Sequence, residues 1–358
     1  MDALPDTAWL APFDTPPDEA RARLLARLNA LTRHHRAACQ GYARILEAFG
    51  WGDAPADGLE AVPWLPVSLF KRRALVSVPA DRIVAWLSSS GTDGVPSRVP
   101  LDRGTAQLQA RALAALMRPL LGRGRAPLVV VDTATTLKRG GLVAARAAAI
   151  AGFGMMGRDP LFLLDGEGRP DWGALAAYRA RHAGERLFIF GFTSMVWESL
   201  VESARRDGVV LDLSPALLLH GGGWKRLADR AVDAATFRAG LAERLNLTEV
   251  RNYYGLVEQV GTIFLECPAG RLHAPALADV LVRDPVTLAP LPAGRPGLLQ
   301  LFSALPVSYP GHSLLTGDMG TVLGADGCPC GWRGRHFVVH GRLPQVEMRG
   351  CSDVRPAA

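Results

Sequence analysis

Ser88-Ser89-Ser90-Gly91-Thr92-Asp93-Gly94-Val95-Pro96-Ser97-Arg98 gathers hydroxyls, glycines and a guanidinium directly after the apolar run 83–87 (IVAWL). Small donors on a backbone free to bend close to a ligand are what a polyphosphate needs. Ser89, Ser90, Gly91, Thr92, Gly94 and Ser97 are the candidate donors, and Arg98 adds a fixed charge. An ordinary Ser/Gly/Pro turn has the same composition. Four further polar clusters downstream suit the same ligand.

His220-Gly221-Gly222-Gly223-Trp224-Lys225 follows the apolar run ALLL, and its three glycines let backbone approach a flat base. A tight turn is the alternative. In Asn252-Tyr253-Tyr254-Gly255-Leu256-Val257-Glu258-Gln259 an aromatic beside a glycine suits stacking on a purine, with Glu258 facing a phosphate-bound Mg²⁺. A strand end with a glycine turn looks the same. The carboxylate of Asp318, in Leu315-Thr316-Gly317-Asp318, can take both ribose hydroxyls, and Arg342 can reach ribose or phosphate. Cys351, between Gly350 and Ser352 and close to Arg349, is a thiol that a neighbouring cation would favour as thiolate; it can equally be an incidental terminal cysteine. Lys71, one of three lysines, reads as a solvated surface residue or a functional cation.

Cys267 and His273 lie six residues apart, and Cys328-Pro329-Cys330 forms a C-x-C knuckle among glycines. Three thiolates and one imidazole make a closed tetrahedral set for a structural Zn²⁺, with no position open for chemistry. Such sites contribute on the order of 10 kcal/mol in small zinc folds. The two halves are about 60 residues apart, so spacing alone does not demand the site. His34, His35 and Cys39 read as stray polar residues on a helical face.

Apolar positions at three- and four-residue steps predict a helix or helical pair over 19–49. Prolines 63 and 66 predict an extended segment over 62–71. Helices are expected at 105–121, 141–150, 172–181, 195–206 and 237–245, and short buried strands at 127–132, 187–190 and 216–219. This alternation predicts an α/β fold with a mostly parallel sheet, whose ligands gather at the carboxyl ends of the strands. From 266 onward prolines and short strands (279–283, 298–302, 336–339) predict a smaller antiparallel, β-rich subdomain. The expected divisions are a helical segment 1–60, an α/β core 61–265, and a β-rich subdomain with tail 266–358. The residues 152–156 and 191–195 can line a fatty or aromatic pocket or belong to the core.

The 358 residues, 49% of them hydrophobic, can bury a large core. Neither a signal peptide nor a membrane span is read from the sequence, so the cytoplasm is the expected compartment. The net charge of +6 arises from 37 Arg and 3 Lys spread along the chain, which excludes a concentrated nucleic-acid footprint. Five cysteines in a reducing compartment favour chemistry or metal over disulfides.

The order SSSGTDGVPSR, HGGGWK, YYGLVEQ, LLTGD, HGR resembles the motifs of AMP-forming adenylating enzymes. More narrowly, VPWLPVSLFK, HGGGWK, YYGLVEQ and RGCSD resemble the LuxE-type acyl-protein synthetases, from about 62 to 353. The cysteine–histidine set is also similar to that of zinc-bearing relatives of phenylacetate–CoA ligases. The resemblance implies an adenylate-forming core that uses ATP and Mg²⁺ to make an acyl-adenylate from a carboxylic acid, fatty or aryl. It implies acyl transfer to Cys351 and on to a partner such as a fatty-acid reductase or carrier. Carried onto matching positions, Ser89, Ser90, Gly91, Thr92 and Gly94 hold phosphates, with Ser97 nearby. Gly221, Gly222, Gly223, Tyr253, Tyr254 and Gly255 frame adenine and the acyl carboxylate. Glu258 sits at Mg²⁺, Asp318 on the ribose and Arg342 near ribose or α-phosphate. The sequence departs from the pattern in Asp93, where many adenylating enzymes have a second threonine, and in lacking the lid with its lysine. The alternatives are a CoA or carrier-protein ligase that does not use Cys351, and a non-catalytic nucleotide-binding protein.

Overall fold

The structure, a computed structural model, describes residues 11–89, 95–138, 142–224 and 229–342. Its helices are α1 (Pro17–Ala38), α2 (Gln40–Ala48), α3 (Leu69–Arg72), α4 (Arg103–Leu121), α5 (Ala145–Gly154) and α6 (Trp172–Arg181). α7 (Thr193–Val196) runs through a π-helical stretch (Trp197–Glu202) into α8 (Ser203–Asp207), and α9 spans Ala234–Leu245. The strands are β1 (Leu65–Pro66), β2 (Ile83–Ser88), β3 (Arg98–Asp102), β4 (Ala126–Val130), β5 (Leu142–Ala144), β6 (Gly157–Phe162), β7 (Leu187–Phe192) and β8 (Ala216–Gly221). They continue as β9 (Glu249–Tyr254), β10 (Phe264–Glu266), β11 (Leu272–His273), β12 (Ala278–Arg283), β13 (Pro296–Ser303), β14 (Ser313–Gly324) and β15 (His336–Arg342).

Among the described residues twelve strands share one sheet, in the order β12-β13-β14-β15-β11-β10-β9-β8-β7-β4-β6, with β1 added in parallel to β14. From β6 to β9 the pairing is parallel, and from β9 to β12 it is antiparallel. The parallel half follows from continuous apolar strands: Leu187, Phe188, Ile189 and Phe190 are all buried, as are Leu217, Leu218 and Leu219. Runs without alternation suit strands covered on both faces. One core cluster joins Leu128, Phe188 and Leu217 to Phe153 of α5, while a second joins Val129, Ile189 and Leu218 to the α7–α8 region and α9.

A second, three-stranded sheet, β3-β2-β5, carries the loop that starts at Ser88. Its base is closed by Asp102, which caps α4 by accepting from Thr105 N–H at 2.8 Å. Asp102 also accepts from Ser308 Oγ at 2.8 Å.

Two local expectations are corrected. The segment 62–71 is not extended throughout: beyond Pro66 no ring blocks the backbone, and Leu69–Arg72 closes a helical turn. The helix expected over 141–150 begins only at Ala145, because Leu142–Ala144 pairs in parallel with β2. The buried histidine of α1 also has defined partners: His35 meets Ser77 Oγ at 2.8 Å and Pro306 O at 3.2 Å, tying the helix to the segment before β14.

Candidate active site

β7, β8 and β9 deliver their last residues side by side at the carboxyl edge of the parallel sheet, where such folds place ligands. β8 ends at Gly221, in register with Tyr253 of β9. A Cβ on Gly221 would stand 2.6 Å from the Tyr253 ring, so only glycine lets that ring lie across the strand end. Gly222 and Gly223 then turn the chain with φ of 82° and 63°, conformations that favour glycine. The turn is anchored from beneath: Thr193 Oγ1 donates to Gly221 O at 3.1 Å and lies 3.0 Å from His220 Nδ1. Burial, with Arg238 adding to it, lowers His220 to about 3, so the ring is neutral there. Gly221→Ala is expected to force Tyr253 off Phe153 and Phe190, and to destabilise the protein by about 1–3 kcal/mol as an overpacking change. Urea titration of the variant checks this, and an unchanged midpoint would contradict it.

Successive residues of a strand point to opposite sides. Tyr253 packs on Phe153 (ring centroids 5.0 Å), while Tyr254 donates its hydroxyl to Asp318 Oδ2 at 2.6 Å. Burial, then the Asp318 charge, push the Tyr254 phenol well above its usual range, so it remains a donor. Asp318 on β14 is paired in register with Arg342 on β15, whose Nε lies 3.5 Å from Asp318 Oδ1. Arg342 is largely exposed, leaving its guanidinium facing solvent beside a polar edge.

Glu258 sits in the single turn Val257–Gln259 after β9 and is buried. Burial raises its carboxyl; the Ser97 hydroxyl, and the charges of Lys71 and Arg342, oppose that rise. Its backbone is held by Gln259, which donates to Gly311 O at 2.8 Å and Leu301 O at 3.2 Å. The phosphate-loop candidate begins beside it: Ser97 N–H donates to Ser89 Oγ at 2.9 Å, and Ser89 N–H to Ser97 O at 3.1 Å. Ser90, Gly91, Thr92, Asp93 and Gly94 lie outside the described residues, as do Lys225 and Cys351. Arg98 is exposed on β3. At Gly255 a Cβ would approach Thr262 O to 3.1 Å, a tight contact with backbone.

Lys71, which the sequence left open between a surface residue and a functional cation, lies where its charge acts on Glu258. β1 pairs with β14, and Val67 N–H donates to Leu315 O at 2.9 Å, which carries the following α3 toward Glu258. The available signal was the scarcity of lysine in a chain that uses arginine almost everywhere.

The four metal-ligand candidates also converge. Cys267 Sγ lies 3.9 Å from Cys328 Sγ, Cys330 Sγ lies 3.5 Å from His273 Nε2, and all four donor atoms fall within 4.8 Å of one another. Tetrahedral bonds of about 2.0–2.3 Å imply donor separations of roughly 3.3–3.8 Å, so this set needs only small contraction to close on a zinc ion. His273 Nδ1 faces Arg333 O at 3.5 Å, which leaves Nε2 as the donor. Phe13 stacks on Trp332 at 4.2 Å, and His273 lies edge-on to both rings. Burial pushes the Cys330 thiol up to about 12.

Residues 11–357 match the model of the family described as Acyl-protein synthetase, LuxE. The chain belongs to this family. It is similar to a long-chain-fatty-acid–luciferin-component ligase of Vibrio harveyi, 27% identical over 325 residues, which cover 87% of this chain and 81% of the relative. It is also similar to a phenylacetate-coenzyme A ligase of Thermus thermophilus, 26% identical over 341 residues, 88% of this chain and 68% of the relative. In fold it resembles 2-hydroxyisobutyryl-CoA ligase in an open conformation with 2-HIB-AMP and CoA, at TM-score 0.72 and 18% identity, covering 93% of this chain and 77% of that one. The core is therefore that of adenylate-forming enzymes, and the protein is an ATP-dependent, acid-activating ligase. Family membership removes the non-catalytic alternative. No described helix is long and apolar enough to cross a membrane.

Proposed function

We propose that this ligase joins a carboxylic acid to the α-phosphate of ATP, and passes the acyl group to Cys351 and then to a partner protein such as an acyl reductase or carrier. The observation that carries this reading is the buried Glu258, held at the carboxyl edge of the sheet among Ser97, Lys71 and Arg342. A carboxylate is unreactive toward thiols until one oxygen becomes part of a leaving group. Its oxygen attacks the α-phosphorus and pyrophosphate departs; the thiolate then attacks the carbonyl carbon and AMP departs.

No side chain has to supply a nucleophile for the first step, so the site's work is alignment and charge stabilisation. Ser89 and Ser97, with Ser90, Gly91, Thr92 and Gly94, would hold phosphate oxygens. Gly221, Gly222 and Gly223 bring backbone close, Tyr253 and Gly255 shape the adenine side, and Tyr254 fixes Asp318 for the ribose hydroxyls. Arg342, exposed next to Asp318, would reach ribose or α-phosphate. Glu258 would ligate Mg²⁺, which when bound neutralises phosphate charge. Cys267, His273, Cys328 and Cys330 would hold a structural Zn²⁺ that ties the β10–β11 turn to the 328–330 knuckle, away from the chemistry. A cytoplasmic setting suits free thiols at these positions.

The likeness to a phenylacetate-coenzyme A ligase favours a second reading, direct transfer to CoA without Cys351. One experiment separates the two. Intact-protein mass spectrometry after incubation with Mg-ATP and a panel of fatty and aryl acids is expected to show an acyl-sized, hydroxylamine-labile adduct, absent from Cys351→Ser. That variant is expected to keep acid-dependent pyrophosphate release. Pyrophosphate release with no adduct in the wild type would reject Cys351 as acceptor; CoA-dependent thioester formation would then establish the second reading.

A further inference from the structure

A half-open cavity of about 320 Å³ lies between α5 and the edge of the large sheet. Its walls are Leu128 and Val130 of β4, Phe162 of β6, and Ile150 and Gly154 of α5. Val130 and Phe162 end their strands, so that rim faces the same carboxyl edge as Gly221 and Tyr254. α5 walls both places, because its Phe153 packs on Phe190 and Tyr253 (centroids 4.5 and 5.0 Å) while Ile150 and Gly154 face the cavity. The opposite end, at the amino ends of β4 and β6, is polar. There Arg158 pairs with Glu185, and Asp159 with His182 at 2.9 Å and Arg181 at 3.0 Å.

We propose that this cavity receives the unbranched alkyl tail of the acid that is activated, and that Gly154 sets the length of tail accepted; this rests on the adenylation reading above. A cavity of about 150 Å³ holds one benzene, about 25 Å³ per carbon. At that ratio the present cavity holds roughly a dozen carbons, and an aryl group fills only about half of it. A chain entering at the carboxyl edge runs along α5 past Ile150 to Gly154. A longer one pushes its methyl end among the ion pairs of Arg158 and Asp159, where it strips water from charged groups without replacing their partners.

Gly154 is the natural probe. A Cβ there meets no atom within 4 Å, and its backbone is not in the left-handed region, so a larger side chain projects into open space without strain. Gly157, on the opposite wall, is unsuitable, since a Cβ would strike Leu128 at 2.5 Å.

The test measures acid-dependent pyrophosphate release for straight-chain acids of about 4 to 18 carbons and for phenylacetate, in wild type, Gly154→Leu and Gly154→Phe. In the wild type kcat/KM is expected to climb up to about fourfold per added carbon, and to level off near a dozen. Gly154→Phe is expected to lose at least tenfold on the 12-carbon acid and less than twofold on the 4-carbon acid, with Gly154→Leu between them and both variants melting like the wild type. An unchanged chain-length profile in folded variants would overturn the cavity assignment while leaving the adenylation reading intact. Absence of pyrophosphate release with every acid would instead sink the adenylation reading. Calorimetric titration with dodecanoate alone then decides the cavity separately: weaker binding to Gly154→Phe supports it, and equal binding rejects it.

Discussion

Glu258→Gln is expected to cut acid-dependent pyrophosphate release by about 100-fold or more, the scale of losing one preorganised charge in a polar active site, without lowering the melting temperature. The two halves of this expectation share one cause. Glu258 is buried, and burial is the largest influence on its carboxyl, raising it despite the Ser97 hydroxyl and the charges of Lys71 and Arg342. A carboxyl raised in the folded state binds its proton more tightly there than in the unfolded chain. The penalty for holding it ionised is absent below its unfolded pKa of about 4.3 and grows as pH rises through the folded value. Once pH exceeds the folded value the wild type bears that penalty in full, whereas the neutral, isosteric glutamine does not. Stability is therefore equal or higher in the variant, while the carboxylate proposed to ligate Mg²⁺ is gone. The same linkage fixes the pH profile. Wild-type activity should rise with pH along a limb lying above the ordinary glutamate range, and that limb should vanish from the residual activity of Glu258→Gln. A variant that kept the wild-type rate, or retained the limb, would remove Glu258 from the site.

The parallel half of the fold was legible because its strands hold unbroken apolar runs: 187–190 and 216–219 could only be covered on both faces, the first strand leading into helix α7 and the second into the Gly222–Gly223 turn. β10 and β11 were not legible. Strands of three and two residues carry no periodicity, and their place in the sheet comes from pairing with β9 and β15. The same limit applies to the site. Tyr254 and Glu258 stood out within one motif, but the 2.6 Å bond from Tyr254 to Asp318 joins residues 64 apart. That contact exists because β14 and β15 continue the sheet that β9 belongs to. Lys71 was left open between surface and site for a related reason. Its sequence neighbours are the mixed set Leu69, Phe70, Arg72 and Arg73, which fits either place, and the contact that carries it toward Glu258 is the parallel pairing of Leu65 and Pro66 with Leu314 and Leu315. Gly221 was read as a route for backbone toward a base, whereas the structure shows a second demand, the Tyr253 ring lying where a Cβ would be.

Cys328→Ala is expected to produce the largest loss of stability of any single substitution considered. The four donors lie within 4.8 Å of one another, and they come from two turns about 60 residues apart. A cation held there cross-links the Cys267–His273 hairpin to the 328–330 knuckle and fixes the Phe13–Trp332 stack against them. In small zinc folds this linkage is worth on the order of 10 kcal/mol. A larger chain with its own core keeps only part of that dependence, and a melting temperature lower by about 10 °C or more is the expected scale. Without metal the remaining thiols and imidazole face one another with no cation to balance a thiolate. Elemental analysis should find one zinc per wild-type chain and none in Cys328→Ala, and a chelator should bring the wild type down to the variant's melting temperature. Because three thiolates and one imidazole leave no open position, pyrophosphate release measured well below that melting temperature should survive. A metal-free wild type whose melting temperature ignores added zinc would end the assignment. Loss of activity without loss of stability would move the cluster from a clamp to a part of the chemistry.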